Sequence, residues 1–437
     1  MKIIKTAAML LSLLITGTCA AFADADANSN PALTLEQCIE TALKNNPEAA
    51  AVQWDAEAAD FRYNQAEAAL LPSVSIEGGY NHFLDPQRLI AARYNGEPGD
   101  FDRDMFRTDI VVRMPVYTGG RITNEIAAAD LLRKAEEHKL ARTREEIVLN
   151  VSSVFYSILG YGRVIESLEF SIQVLEEHLK RVSQLLAAQK ASRLDYLKTE
   201  VRLADLRQSL VNQKNTLAVQ KRVLANLMGT EQNSQTFSVS GKLEFEPSAL
   251  QTESLIGQAL GARSDYLSAK AKFEAQTRKI SIAKSAYLPQ VSLQGGYGFR
   301  TDINGENEDA GTLGITAVMP IFDRKTAPKV SEEEANLSAA RERLRKLELQ
   351  IRQDVETEVL DIQSAAERIM SIEKAIEQAK ESLRIERQKY ELGAGSMTDV
   401  LDAQSALLQT ETAYYKAMAD VNIAKARLNW AAGGMEN

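Results

Sequence analysis

Glu67-Ala-Ala-Leu-Leu-Pro-Ser-Val-Ser-Ile-Glu-Gly-Gly-Tyr80 and Lys284-Ser-Ala-Tyr-Leu-Pro-Gln-Val-Ser-Leu-Gln-Gly-Gly-Tyr297 are one segment written twice. In each, a stretch rich in Ala, Glu, Lys and Gln (about 34–71 and 249–287) runs as helix into a Leu-Pro dipeptide. Proline lacks the amide donor and restricts the residue before it, so the helix must stop there. Beyond the proline the period becomes two. Val74, Ile76, Gly78, Tyr80 and His82 alternate with Ser73, Ser75, Glu77, Gly79 and Asn81. A second strand sets Phe106, Thr108, Ile110, Val112 and Met114 against Arg107, Asp109, Val111 and Arg113. The later copy repeats this with Val291, Leu293, Gly295, Tyr297 and Phe299, then Leu313, Ile315, Ala317 and Met319. Strands of about 10–12 residues, apolar on one face and polar on the other, suit a barrel with lipid outside and water inside. A strand of a soluble sandwich would read the same in isolation.

Further along each copy, Val112-Arg-Met-Pro-Val-Tyr117 parallels Ala317-Val-Met-Pro-Ile-Phe322, and Asp195 and Gly229 parallel Asp399 and Gly433. Matches in the same order mean two halves of one design. The strands are joined by polar, turn-rich stretches expected to be loops. Leu84–Asp104 holds Asp85-Pro86 and Glu97-Pro98-Gly99, and Thr301–Gly311 holds Asn304-Gly305. After each hairpin an apolar stripe with steps of three and four runs from Ile147 through Val151, Val154, Ile158, Tyr161, Ile165, Leu168, Ile172, Leu175, Leu179, Val182 and Leu186, and from Leu344 through Leu347, Ile351, Val355, Val359, Ile362, Ala366, Ile369, Ile372, Ile376, Ala379 and Leu383. Helices over 121–187 and 325–391 would each reach about 100 Å. A shorter helix follows each, marked by Leu203, Leu210, Leu217 and Leu224 and by Leu407, Tyr414, Val421 and Leu428. The organisation is therefore 24–229 as first repeat, 230–248 as linker and 249–437 as second repeat.

Lys2, Lys5, the apolar run Ala7–Ile15 and Ala21-Phe22-Ala23 form a secretory signal over residues 1–23. Thr16-Gly17-Thr18 before Cys19 is a poor lipobox. Cys38 is then the remaining thiol, so no intrachain disulfide is possible, and it reads as a small core residue. A net charge of −9 argues against a nucleic-acid binder. No apolar run of about 20 residues follows the signal, which excludes a polytopic inner-membrane protein. Four membrane-type strands cannot close a barrel, so copies must combine.

At this point the chain resembles the TolC-like outer-membrane efflux family over residues 34–431. The resemblance rests on the duplicated helix, Leu-Pro, hairpin and long-helix order. It rests also on Tyr390-Glu-Leu-Gly-Ala-Gly-Ser-Met-Thr-Asp-Val-Leu-Asp-Ala403 and on Leu428-Asn-Trp-Ala-Ala-Gly433. It implies a mainly α fold with a membrane β-barrel. A homotrimer would supply a twelve-stranded barrel from four β-strands per protomer, set in outer-membrane lipid, with a long coiled-coil α-helical barrel in the periplasm. It implies a passive exit duct working with a periplasmic adaptor and an inner-membrane transporter.

Asp399 and Asp402 are three residues apart and can share one face of a helix. In a trimer they would make two stacked carboxylate rings, attracting cations and raising one another's pKa. The resemblance places both at the closed periplasmic entrance, with Tyr390 and Asp195 among the polar links that hold it shut. Asp195 and Asp399 also read as N-caps of the helices that follow them. The family arginine is replaced by Gly395, for which Arg193 is the candidate substitute. Ala191, Ser192, Gly393, Ala394, Gly395 and Ser396, in the helix–helix turns, are the expected adaptor-docking tip.

Catalysis is not expected. His82, His138 and His178 are spread along a strand and a long helix without metal-ligand spacing, and no cofactor is expected. Glu145-Glu146 and Glu332-Glu333-Glu334 read as solvated faces. Gly78-Gly79 and Gly295-Gly296 lack a following phosphate-binding helix. The same helices would also suit a leucine-zipper dimer or a soluble periplasmic scaffold. Those readings leave the signal and the paired strands unexplained.

Overall fold

Proline, serine and glycine set the breaks between long helices, and the computed structural model describes residues 32–88, 101–230, 237–245, 250–303 and 307–434. The signal sequence, Cys19, Glu97-Pro98-Gly99 and Asn304-Gly305 lie outside these. A two-residue strand β1 (Ala32–Leu33) leads into α1 (Leu35–Asn45), capped reciprocally by Thr34 and Gln37. Asn46 then caps α2 (Pro47–Ala68), its Oδ1 accepting from the Glu48 amide at 2.8 Å, with Pro47 at the first helical position. The stretch expected as one helix is thus two, bent at Asn46-Pro47. The second repeat does the same with α5 (Thr252–Ala262) and α6 (Ser264–Lys284) around Arg263.

The first hairpin is β2 (Ser73–Arg88) and β3 (Phe101–Tyr117); the second is β5 (Gln290–Thr301) and β6 (Asn307–Val318). The first pair overruns the expected loop Leu84–Asp104: β2 continues through Asp85-Pro86, with its register breaking between His82 and Gln87. Strands whose outer ends stand in water can carry polar residues on both faces, so polarity there did not mean loop. Likewise β5 and β6 leave a gap shorter than Thr301–Gly311. The sheet is antiparallel in the order β2-β3-β5-β6, and β2 and β6 are its free edges among the described residues. On one face Val74, Ile76, Ile110, Leu313 and Ile315 stand exposed in rows. On the other, Arg113 pairs with Glu77 at 2.7 Å. There Asp109 holds Arg300 at 2.5 Å and Arg107 at 3.3 Å. Gly298 opposite leaves Asp109 its room, for a Cβ there would lie 2.3 Å from the carboxylate.

α3 (Arg121–Ala187) and α7 (Thr326–Glu391) are the two long helices, followed by α4 (Arg193–Leu227) and α8 (Met397–Ala432). The expected stripes are the packed ones: Val151, Leu175, Val182, Ile351 and Val355 are fully buried. Above the middle the packing order is α2-α3-α6-α7, and below it α4-α3-α8-α7. This layer has two flanks, and both carry exposed apolar side chains. Trp54 and Phe61 stand on α2, Val201, Val211 and Val219 on α4, and Leu349, Leu360 and Met370 on α7.

Each repeat is strapped at mid-height. Cys38 and Ala42 of α1 pack with Val151, Phe155 and Leu224, and Ile256 and Ala259 of α5 pack with Val355, Val359 and Leu428. Burial pushes the Cys38 thiol up to about 11, which makes it a core group and not a nucleophile. A strand missed by periodicity, β4 (Ser238–Val239), pairs with β1 in the linker.

The second joint holds a buried polar knot. Arg263 forms two bonds to Asp265, at 3.0 and 2.7 Å, one to Asp354 at 3.0 Å and one to the Ala431 carbonyl at 3.4 Å. Arg142 donates to Glu145 at 3.0 Å and to the Trp430 carbonyl at 3.2 Å, its guanidinium lying 3.7 Å from the Trp430 ring centroid. Ser264 closes the knot on Glu145 at 2.6 Å. Glu145 is therefore buried and not part of a solvated face. Glu333 is buried too, accepting from Gln276 at 2.6 Å and pairing with Lys329 at 3.0 Å. The counterpart in the first joint is neutral: Asn46 Nδ2 donates to the Leu227 carbonyl at 2.8 Å.

Candidate functional site

The sequence-predicted residues gather where α3 turns into α4 and α7 into α8. Both turns are built alike. After α3, Gln189 takes a left-handed conformation (φ 57°), and the Lys190 amide reaches back to the Leu185 carbonyl at 2.8 Å. After α7, Gly393 does the same (φ 74°), with the Ala394 amide on the Lys389 carbonyl at 2.8 Å. These six-to-one bonds close helix C-termini and place the next residue where a new helix can start.

The new helices start on serine, not aspartate. Ser192 Oγ accepts from the Asp195 amide at 3.1 Å, and Asp195 accepts from the Ser192 amide at 3.3 Å. Ser396 and Asp399 repeat this at 3.2 and 3.3 Å. The expectation of aspartate N-caps is corrected: each aspartate is the third helical residue of a capping box. Asp402 stands outside the box. It is exposed one turn beyond Asp399 on the same side of α8, so the box accounts for one carboxylate and not the other.

Asp195, Tyr390, Ala191, Ser192, Gly393 and Gly395 line one groove of about 700 Å³ between the ends of α3 and α7 and the start of α4. Burial, and then the Asp195 carboxylate, push the Tyr390 hydroxyl above the usual phenol range. Arg193, Asp399, Asp402, Ala394 and Ser396 do not line it. Arg193 is exposed at the first position of α4 and has no ion-pair partner among the described residues. Gly395 packs so closely on α7 that a Cβ would lie 2.9 Å from that of Lys389. A side chain in place of Gly395 therefore needs the turn to shift.

Sequence reasoning missed two partners in this region. His178 Nε2 lies 3.3 Å from Met397 Sδ, with its ring 5.9 Å from that of Tyr390. Lys198 Nζ donates to Thr398 Oγ1 at 2.8 Å, tying α4 to α8. His178 is three residues past Leu175, on the flank of the buried stripe, and that spacing was its available signal.

Comparison with known proteins fits this architecture. The model for the outer membrane efflux protein family matches residues 38–230 and 255–434. The outer membrane protein TolC of Vibrio cholerae is 21% identical over 407 residues, covering 91% of this chain and 90% of that protein. The outer membrane protein OprJ of Pseudomonas aeruginosa is 24% identical, covering 92% and 84%. The crystal structure of VceC from Vibrio cholerae superposes with a TM-score of 0.78 at 19% identity, covering 92% of this chain and 96% of that one. The duplicated hairpins, the two long helices and the family match over both repeats make this chain a member of the outer membrane efflux protein family, with a large periplasmic helical portion.

Proposed function

We propose that three copies of this chain close into a passive exit duct, and that the acidic pair on α8 narrows its periplasmic end. The observation that carries the reading is the doubled set of free edges. The sheet ends at β2 and β6, and the helical layer ends at α2 and α4 on one flank and α7 on the other. Unpaired strand edges and exposed apolar flanks are costly, and head-to-tail closure around an axis removes both. Four strands per copy make twelve in a trimer.

Depth in a bilayer has its own support. Tyr80 and Phe106, 4.9 Å apart, stand on the apolar face near the outer end of the sheet, and Tyr117, Tyr287 and Phe322 stand exposed near its helical end. Phe106 and Tyr117 are separated by about 36 Å of strand at ~3.3 Å per residue, which a tilt near 45° reduces to about 25 Å. That matches the apolar band of an outer-membrane barrel. Residues 1–23 serve as the export signal.

In the closed duct Asp399 and Asp402 become two rings of three carboxylates each. Fixed negative charge in a narrow water-filled neck raises the local cation concentration and excludes anions. The turns Ala191–Ser192 and Gly393–Ser396 are the ends a periplasmic adaptor would reach, and an inner-membrane transporter supplies the energy. Native mass spectrometry of detergent-purified protein tests the assembly. A trimer is expected, and a stable monomer that leaves β2 and β6 free would contradict the reading.

A further inference from the structure

The tip is written twice along the chain, and its two versions differ where each hairpin meets a neighbour. Ser192 and Ser396 cap α4 and α8 alike, and Arg193 and Met397 are the first residues of those helices. Met397 is 1% exposed. It belongs to the apolar cluster of Leu175, Val182 and Val400, and its sulfur lies 3.3 Å from His178 Nε2 on α3. One turn on, Leu401 is 8% exposed. Their counterparts on α4 stand in solvent: Arg193 is exposed, and Leu197 is 44% exposed. The cause is position in the layer. α8 lies between α7 and α3, whereas α4 packs on α3 and leaves its outer flank open.

The α3 face that receives Met397 is marked by Leu175, His178 and Val182. The offset that pairs the two serine caps carries these positions to Ala379, Ser382 and Glu386 on the free flank of α7. There an open cavity of about 580 Å³ is lined by Glu377, Glu381, Ser382, Glu386 and Lys389 among others. Arg384 takes up Glu381 at 2.6 and 2.8 Å, and Lys389 donates to Glu386 at 2.7 Å. Glu377 has no ion-pair partner among the described residues. A methionine and a valine of one buried cluster are thus replaced, at the matching places of the two open flanks, by an arginine and a glutamate.

We propose that Arg193 of one copy seats beside Ser382 of the next copy and forms an ion pair with Glu386 there. Helical side chains lean toward the N-terminus of their own helix. α7 descends to the tip and α4 climbs from it, so Glu386 and Arg193 lean toward each other and converge near Ser382. Arginine is longer than methionine, and its planar fork suits a carboxylate that already accepts one bond from Lys389. Inside each chain the tip is held by apolar packing, which added salt does not weaken. Between chains it is held by charge near solvent, which salt screens beyond about 8 Å at physiological ionic strength. The seam between copies is therefore the one that parts first when the tip opens.

The inference rests on the duct reading, and the experiment separates the two. Cys38 is buried, so cysteines placed on the surface can be joined by a short bis-maleimide without interference. Arg193→Cys/Ser382→Cys is treated in detergent and run on a denaturing gel. Bands of two and three linked chains should appear, and neither single variant should give them. Native mass spectrometry of the wild type and of the variant reports the assembly. Trimers without linked chains overturn the inference, and so does a peptide map showing the link only within one chain. A wild type without trimers overturns the duct reading instead. If the cysteine pair fails to assemble, charge reversal decides. Arg193→Glu and Glu386→Arg should each raise single-channel conductance about twofold or more at ~0.1 M salt, by setting like charges against each other. Arg193→Glu/Glu386→Arg should return it to the wild-type level. A double variant as conductive as the single ones overturns the pair.

Discussion

At mid-height Arg263 is 2% exposed and makes bonds to two carboxylates and a backbone carbonyl, whereas at the tip Asp399 and Asp402 stand in solvent. Both regions join α7 to α8. The joint draws its partners from α3, α6, α7 and α8, so its removal is felt by the whole layer. The tip is closed by local devices: two left-handed turn residues, two capping boxes, a histidine–methionine contact and one lysine–threonine bond. Such contacts are individually worth about 1 kcal/mol and can be given up without unfolding their helices. The proposed duct, if it is to stay standing while its periplasmic end changes shape, would need this division.

The largest expected effect lies in the joint. Arg263→Ala removes the ion-pair partner of Asp354 and leaves Asp265 to Arg142 alone, and should cost about 3 kcal/mol in thermal or denaturant unfolding followed by circular dichroism. A loss no greater than that of a tip variant would erase the contrast. Gly433→Ala comes next. Its backbone sits at φ 73° and a Cβ would lie 2.7 Å from the Arg263 amide nitrogen, so about 2 kcal/mol or more is expected in the same measurement. Asn46→Ala, which removes the cap of α2 and the bond to Leu227, should cost about 1–2 kcal/mol and show how far a neutral joint matches a charged one. Ser396→Ala should cost about 1 kcal/mol or less in stability yet alter channel current, since it frees the start of α8.

Acid sharpens the same comparison. Burial would raise the Asp265 pKa, but the bond from Arg263 and the charges of Arg142 and Arg263 outweigh it and hold the carboxyl below the usual range. The joint's contribution is thus fully present above the ordinary carboxylate value and fades only as pH falls through the lowered one. Hydrogen exchange should show amides at the start of α8 less protected than those around Arg263. The reverse order would contradict the division.

The long helices and hairpins were legible because they depend on period and punctuation. Val151, Ile158, Leu175 and Val182 repeat on one face, and Leu71-Pro72 and Leu288-Pro289 stop the helices. The bend at Asn46-Pro47 was also written there, as an N-cap followed by proline at the first helical position. Its counterpart at Arg263-Ser264 has no such mark. The knot was hidden for a different reason. Arg142 and Glu145 are spaced like an ordinary surface pair, and what buries them comes from Ser264, Asp265 and Trp430, more than a hundred residues away. Of the site, the turns and the aspartates were readable, but the serine caps and His178 depend on helix starts and packing that spacing alone does not fix.

The most direct test of the account is ionic current through the reconstituted protein in a planar bilayer, compared with Asp399→Ala/Asp402→Ala. Small, cation-selective conductance is expected in the wild type, and larger conductance with reduced selectivity in the double variant. Inserted trimers with the same current and the same selectivity in both proteins would contradict a neck set by those carboxylates.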